Sequence, residues 1–205
     1  VTYLLRAIGF ESDEEILALF DNNHFIRDEL ERDDDEFKTE ARALEEVYKH
    51  IRPNEPATST ENAQQLLNSL FFDPKRYDLA SVGRYKIGKK LGLKRRLLNK
   101  VLAEDLVDNS TGEILIPADT LVTEEHLKAI DDDREAEIFD LIPDEVHRGY
   151  LNPIPVKIKI KNAEDQDEII TMLCAPTLPI HEFRTICIAD IISSIGYLLD
   201  LMSGV

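Results

Sequence analysis

The spacing of apolar residues changes period twice along the chain, and those changes define its organisation. Up to about residue 72 the apolar positions recur every three to four residues, the signature of helices with one buried face. VTYLLRAIGF is predicted to be a helix that stops at Gly9. Ser12 followed by Glu15 reads as a capping box opening EEILALF. HFIRDELERD turns Phe25, Ile26 and Leu30 inward, and a longer helix carries Phe37, Ala41, Leu44, Val47, Tyr48 and Ile51 on one stripe until Pro53 ends it. A further helix over about 61–72, capped by Thr58 or Thr60, buries Ala63, Leu66, Leu67 and Leu70 before Asp73-Pro74 breaks it. Beyond residue 100 the period falls to two. Val101 to Val107 and Glu113 to Ile116 form a hairpin around Asp-Asn-Ser-Thr-Gly, and Thr123 caps a short helix, EEHLKAI. Asp131 to Gly149 is acidic and weakly patterned, with a short strand expected at Ile138 to Leu141. Val156, Ile158 and Ile160 then alternate with three lysines and lead through NAEDQD into Ile169 to Leu173, the clearest hairpin in the chain. Its lysines face away from the apolar side, as a solvated, edge-protecting face would. The chain closes on Ile191, Ile192, Ile195, Leu198, Leu199 and Met202, one broad helical face predicted to pack on the N-terminal helices.

These elements give an α+β chain. A helical part spans 1–100, a small β-rich module is inserted at 101–182, and a C-terminal helix at 183–205 packs back on the helical part.

Charge singles out one stretch of this framework. The 205 residues carry 24 Lys or Arg against 41 Asp or Glu, a net −17. Between Lys75 and Lys100, however, ten cations face one acid, Asp78, so this segment is net +9 and the remainder −26. Positive potential gathered on one element of a negative body is the footprint of phosphate contact, or else a solvated cationic helix face. Within it, Tyr77 and Tyr85 are of a type that stacks on bases, but a run that must also dock on two helices favours packing for them.

The residues around this segment carry a resemblance. IRPNEPATSTENAQQLLNSL followed by FFDPKRYDLASVGRYKIGKKLG is similar, almost letter by letter, to the lobe domain of the β subunit of bacterial DNA-dependent RNA polymerase. The family pattern runs RPGEPPT, a helix, FFDPKRYDL, then VGRYK. This sequence departs from it at Asn54, where Gly is usual, and at Ala57, where a second Pro is usual; Asn tolerates the left-handed conformation, so the turn should survive. The resemblance is firmest over 1–100 and the last 20 or so residues. It implies the C-terminal half of the lobe with a lineage-specific insertion, 101–182, of sandwich-barrel-hybrid type. Both ends of the chain read as cut from something longer.

By that resemblance the chain forms part of the cleft wall beside the downstream duplex and the non-template strand. Its partners would be that DNA, the rest of β, and the β′, α and σ subunits. The contact residues would be Arg52, Arg76, Arg84 and Lys86, followed by Lys89 and Lys90. For Arg76 an internal pairing with Asp73, Asp78 or Glu55 competes with contact, and the same reading stands open for Arg84. The alternative function is a protein-interaction module in which the acidic insertion docks regulatory partners.

No catalytic arrangement stands out: there is no phosphate-binding glycine loop, HExxH, GxSxG or DxDxD. The five histidines, at 24, 50, 126, 147 and 181, have no metal spacing, and Cys174 and Cys187 sit in apolar settings as expected of buried thiols. The acids from Asp33 to Glu36 invite a metal-dependent hydrolase reading, but neighbours at a helix start point in different directions and serve the helix dipole. The fragment is therefore expected to hold no cofactor and no active site of its own, the catalytic magnesium belonging to β′ by the resemblance. No apolar stretch is long enough to span a membrane and no signal peptide is present, so the reading is cytoplasmic.

Overall fold

A computed structural model describes residues 1–55, 59–141, 143–144, 150–178 and 183–205. The expectations for Thr58, Ala57, His147, His181 and the 182 boundary lie outside the described residues. The chain divides into two compact units, one holding Val1–Leu79 and Arg184–Cys187, the other Ala80–Asp144, Tyr150–Phe183 and Ile188–Val205.

The first unit is helical: α1 (Thr2–Ala7), α2 (Asp13–Leu19), α3 (His24–Arg32), α4 (Glu40–Ile51) and α5 (Thr60–Phe71). Its helices begin where side chains can take up orphaned N–H groups. Ser12 Oγ accepts from the Glu15 N–H at 3.0 Å, Asn23 Oδ1 from Phe25 at 2.9 Å, and Thr39 Oγ1 from Arg42 at 3.4 Å. The cap of α5 is Ser59, whose Oγ accepts from Asn62 at 3.2 Å, and Thr60 is already the first helical residue. α4 packs on both α1 and α5, burying Leu5, Ile16, Ile26, Leu30, Ala43, Leu44, Ala63 and Leu67. The stripe expected on α4 is displaced: Ala43, not Ala41, is buried, Ile51 is exposed, and Phe37 lies in a separate 3-10 turn, Asp35–Phe37. Leu70 of α5 is also exposed. The turn at Asn54 forms without a left-handed residue, closed by the Glu55 N–H on the Arg52 carbonyl at 3.1 Å.

The acidic run has structural work to do in this unit. Asp34 caps the 3-10 turn, and Arg6, fully buried, bonds the Glu11 carbonyl and Asp13 while lying 3.9 Å from Asp33. Burial raises the Asp33 carboxyl above its ordinary range, against the opposing effects of Thr2 and Arg6. Among the described residues, no group of three or more His, Cys, Asp or Glu is placed to hold a metal ion.

The second unit joins helices to sheet. It contains α6 (Ala80–Leu91), α7 (Leu93–Leu97), β1 (Val101–Leu102), β2 (Leu106–Val107), β3 (Ile114–Ile116), α8 (Glu124–Leu127), α9 (Glu135–Ile138), β4 (Pro143–Asp144), β5 (Tyr150–Leu151), β6 (Ile154–Lys161), β7 (Asp167–Cys174) and α10 (Ile188–Met202). The described strands make a three-stranded antiparallel sheet in the order β1-β6-β7, with β2-β3 and β4-β5 as separate two-stranded ladders. The chain is therefore α+β as expected, while the pairing of the described strands does not itself define a sandwich-barrel. β6 and β7 run in register from Ile154 opposite Cys174 to Lys161 opposite Asp167, and Asp165, in the left-handed region, closes their turn. Val156 and Ile158 point into a core with Leu93, Leu97, Leu102, Ile116, Ile130 and Met172. Helix α7 thus shares its interior with the β-rich residues that follow it. The three lysines of β6 face outward as predicted, and each meets an acid: Lys157 with Glu104, Lys159 with Asp119, and Lys161 with Asp167.

Three elements of this unit depart from the pattern. The run Val101 to Val107, expected as one strand of a hairpin, is split: β1 pairs with β6, and only β2 pairs with β3. Ile138 to Leu141, expected as a strand, instead follows the 3-10 turn Asp132–Arg134 as the end of α9 and the residues after it. Glu135 is buried at the start of α9, and its carboxylate accepts from the Thr177 N–H at 2.6 Å and its hydroxyl at 3.1 Å. Burial pushes that carboxyl up despite both bonds.

The third departure is α10. Leu198 and Met202 of the predicted face are exposed, and Asp190, Ser193, Gly196 and Asp200 are buried with Ile191, Ile192, Ile195 and Leu199. Its packing partners include α6 and β7. Gly196 permits the approach to β7, since a Cβ there would stand 3.1 Å from that of Leu173. Cys174 and Cys187 are both buried, and neither is in a disulfide. Among the described residues, no helix is long and apolar enough to cross a membrane.

Candidate nucleic-acid interface

The basic segment opens with a turn and continues as helix. Asp73 Oδ1 accepts from the Lys75 N–H at 2.9 Å, and the Asp73 carbonyl accepts from Arg76 and Tyr77, which fixes the Asp-Pro-Lys-Arg-Tyr run. Asp78, the one acid between Lys75 and Lys100, is neutralised by Arg184, whose Nε lies 2.9 Å away. From Ala80 the segment is α6, which ends when the Gly92 N–H bonds the Gly88 carbonyl at 2.9 Å and the chain turns into α7. Only glycine fits at Gly92, because a Cβ would stand 2.4 Å from the Gly88 oxygen.

Two arginines of this segment face inward. Arg84 donates to both carboxylate oxygens of Asp190, at 3.0 and 2.8 Å, and to the Phe183 carbonyl at 3.2 Å. Arg96 bonds Asp200 and lies over the Tyr197 ring, 4.9 Å from its centroid. Both pairs fasten the segment to α10, over separations of 106 and 104 residues. Burial pushes the Asp200 carboxyl upward, and the adjoining guanidinium offsets this in part.

The other predicted contact residues are at the surface. Lys86, Lys89 and Lys90 are exposed on α6. With Arg95, Arg96, Lys100 and Tyr197 they line a cleft of about 580 Å³. No ion pair engages Lys86, Lys89, Lys90, Arg95 or Lys100 among the described residues. In the first unit, Arg52 and Arg76 line a separate cleft of about 310 Å³ with Tyr48, Asn62, Gln65 and Ser69. There Arg52 is held by Glu55 at 2.9 Å, whereas the exposed Arg76 side chain has no ion pair among the described residues. The pairing expected for Arg76 thus falls to Arg52, and Arg84 takes an acid beyond the three weighed for it.

Three features escaped the sequence reading. Arg95 and Lys100 join the cationic cleft, although their place in the basic run marked them. Tyr77 and Tyr85, expected to pack, are 53% and 66% exposed. Burying Arg84 and Leu91 turns the opposite face of α6 outward, and Val82 and Tyr85 go with it.

Comparison with known proteins identifies relatives of the chain. A family model described as RNA polymerase Rpb2, domain 2 matches residues 1–108. The DNA-directed RNA polymerase subunit beta of Macrococcus caseolyticus is 45% identical over 207 residues, covering all of this chain and 17% of that protein. The subunit of the same name from Staphylococcus aureus is 43% identical over 211 residues, again across the whole chain and 17% of the relative. The chain therefore spans about a sixth of the length of these relatives. With more than half of its residues matched by the family model, the chain belongs to the RNA polymerase Rpb2 domain 2 family.

Proposed function

We propose that this chain serves as a nucleic-acid-facing, non-catalytic part of the β subunit of DNA-directed RNA polymerase, in the cleft wall near downstream DNA and the non-template strand. The observation that carries this reading is the cationic cleft. Five exposed or half-buried cations without ion pairs among the described residues converge there, on a chain whose net charge is −17. A template that slides at every nucleotide addition has to be held without being read. Phosphate contacts meet that need because they recur along the strand and carry no base identity. Lys86, Lys89 and Lys90, joined by Arg95 and Lys100, make those contacts from α6 and α7, and Arg76 with Arg52 makes them from the first unit. Arg84 acts from beneath by holding α6 in place. The partners are the rest of β with β′, α and σ in a cytoplasmic enzyme, and bond-making with its magnesium belongs to β′.

The test is the salt dependence of DNA binding by polymerase carrying Lys86→Ala, Lys89→Ala and Lys90→Ala together. Each lost phosphate contact should reduce the slope of log K against log salt by about 0.9 on duplex DNA. An unchanged slope would remove this surface from the contact.

A further inference from the structure

We propose that the outer face of the three-stranded sheet docks a basic amphipathic helix of a partner protein, whose apolar side sits on a band running across the strands. None of the band residues lines either cationic cleft, so this use of the molecule is independent of the nucleic-acid reading.

Register places the band. Leu121 stands opposite Val101, Val101 opposite Lys159, and Lys159 opposite Ile169. Directly opposed residues of neighbouring strands point to the same face, so these four side chains form one row. The residues that alternate with them, Leu102, Ile158 and Ile170, belong to the core behind. Leu121 is 53% exposed and Ile169 59%, and Val101 is half-buried between them. Lys159 does not interrupt the row: its head is drawn to Asp119, and its aliphatic stem continues the apolar surface. At about 4.8 Å per strand, the row is about 14 Å long.

One end of this face is already closed by a helix. Ile169, Thr171 and Leu173 alternate onto it, and α10 packs on β7 with Gly196 against Leu173. Leu173 is buried in consequence, while Ile169 is left open. A second helix on the open end extends the layer that α10 begins. Charge decides which helix. Residues 101–182 hold 20 acids against six cations. The three lysines of β6 are each taken by an acid. Glu164, Asp165 and Glu168, in and beside the turn that leads to Ile169, are exposed and form no ion pair among the described residues. Their field attracts Lys and Arg, and it repels phosphate, anionic lipid and a second copy of the same face.

The experiment uses assembled polymerase and three fluorescein-labelled helical peptides of equal length: leucine–lysine, leucine–glutamate, and serine–lysine with serine at every leucine position. p-Benzoylphenylalanine at position 169 is irradiated in the presence of each, and the attached segment is mapped. The leucine–lysine peptide should attach there, and the other two about tenfold less. Leu121→Ser and, separately, Glu164→Lys with Glu168→Lys should each weaken binding of the leucine–lysine peptide about tenfold. Both should leave the salt slope of DNA binding unchanged. All three positions are exposed, so the fold tolerates the changes. Attachment of the leucine–glutamate or serine–lysine peptide as readily as the leucine–lysine one would overturn the proposal, as would attachment indifferent to Leu121→Ser. Attachment of position 169 to β or β′ of the same enzyme, or to a second polymerase, would assign the face to another occupant and overturn it too. So would failure of every peptide to attach. Each of these outcomes leaves the cationic cleft standing, because that reading is decided by the DNA salt slope.

Discussion

At the scale of single residues, the most sharply set side chains are those the fold has dried out. Burial pushes the Cys174 thiol from 9.0 to about 12. The native state then keeps a proton that the unfolded chain gives up. Its contribution to stability is full below pH 9 and is lost as pH rises from there through 12. The gap in denaturant midpoint between the wild type and Cys174→Ala should be constant up to about pH 8.5 and narrow by about pH 10.5. Asp190 and Arg84 are a different case, a charge pair at 3% and 8% exposure. Asp190→Asn keeps the shape and strands the guanidinium, and should cost about 3–5 kcal/mol in equilibrium unfolding. Arg84→Met with Asp190→Leu removes both charges and should cost less than Asp190→Asn alone.

At the scale of elements, Gly88 and Gly92 lie one turn apart and should respond in opposite directions to the same change. Gly88→Ala adds a methyl into open space within a helix and should stabilise by about 0.5–1 kcal/mol. Gly92→Ala drives a Cβ into the Gly88 carbonyl and should lower the unfolding midpoint. The unfolding curves of the two variants check both. Elements built from local periodicity were legible in the sequence: α3 and the β6-β7 hairpin follow their patterns, whereas of the strand expected over Val101 to Val107 only β2 pairs with β3, and α10 occupies Ile188–Met202 of the expected 183–205. What the pattern could not carry was anything settled at a distance. Ile138 to Leu141 is too short an apolar run to separate strand from helix, and the bond from Thr177 to Glu135 that anchors the start of α9 spans 42 residues. The buried face of α10 includes two aspartates because two arginines about a hundred residues earlier require them. The same pairings explain why the candidate site was only partly legible. Composition located the cations, but which of them face outward depends on where α10 docks.

At the scale of the whole molecule, the excess of acids makes the basic segment the exception that matters. The net negative field of a chain at −17 opposes any approach to phosphate, so the proposed contact depends on a local field strong enough to dominate at short range. The neutralised lysine face of β6 adds nothing to that field, which leaves α6 and α7 to supply it in the second unit. The two buried pairs also impose an order in time. A ribosome adds about 5–20 residues per second, so Arg84 leaves it roughly 5–20 s before Asp190, 106 residues later, has been made. During that interval a cationic helix is without its counter-ion, and the polyanions of the translation machinery surround it. Synthesis of α10 withdraws Arg84 and Arg96 from that competition.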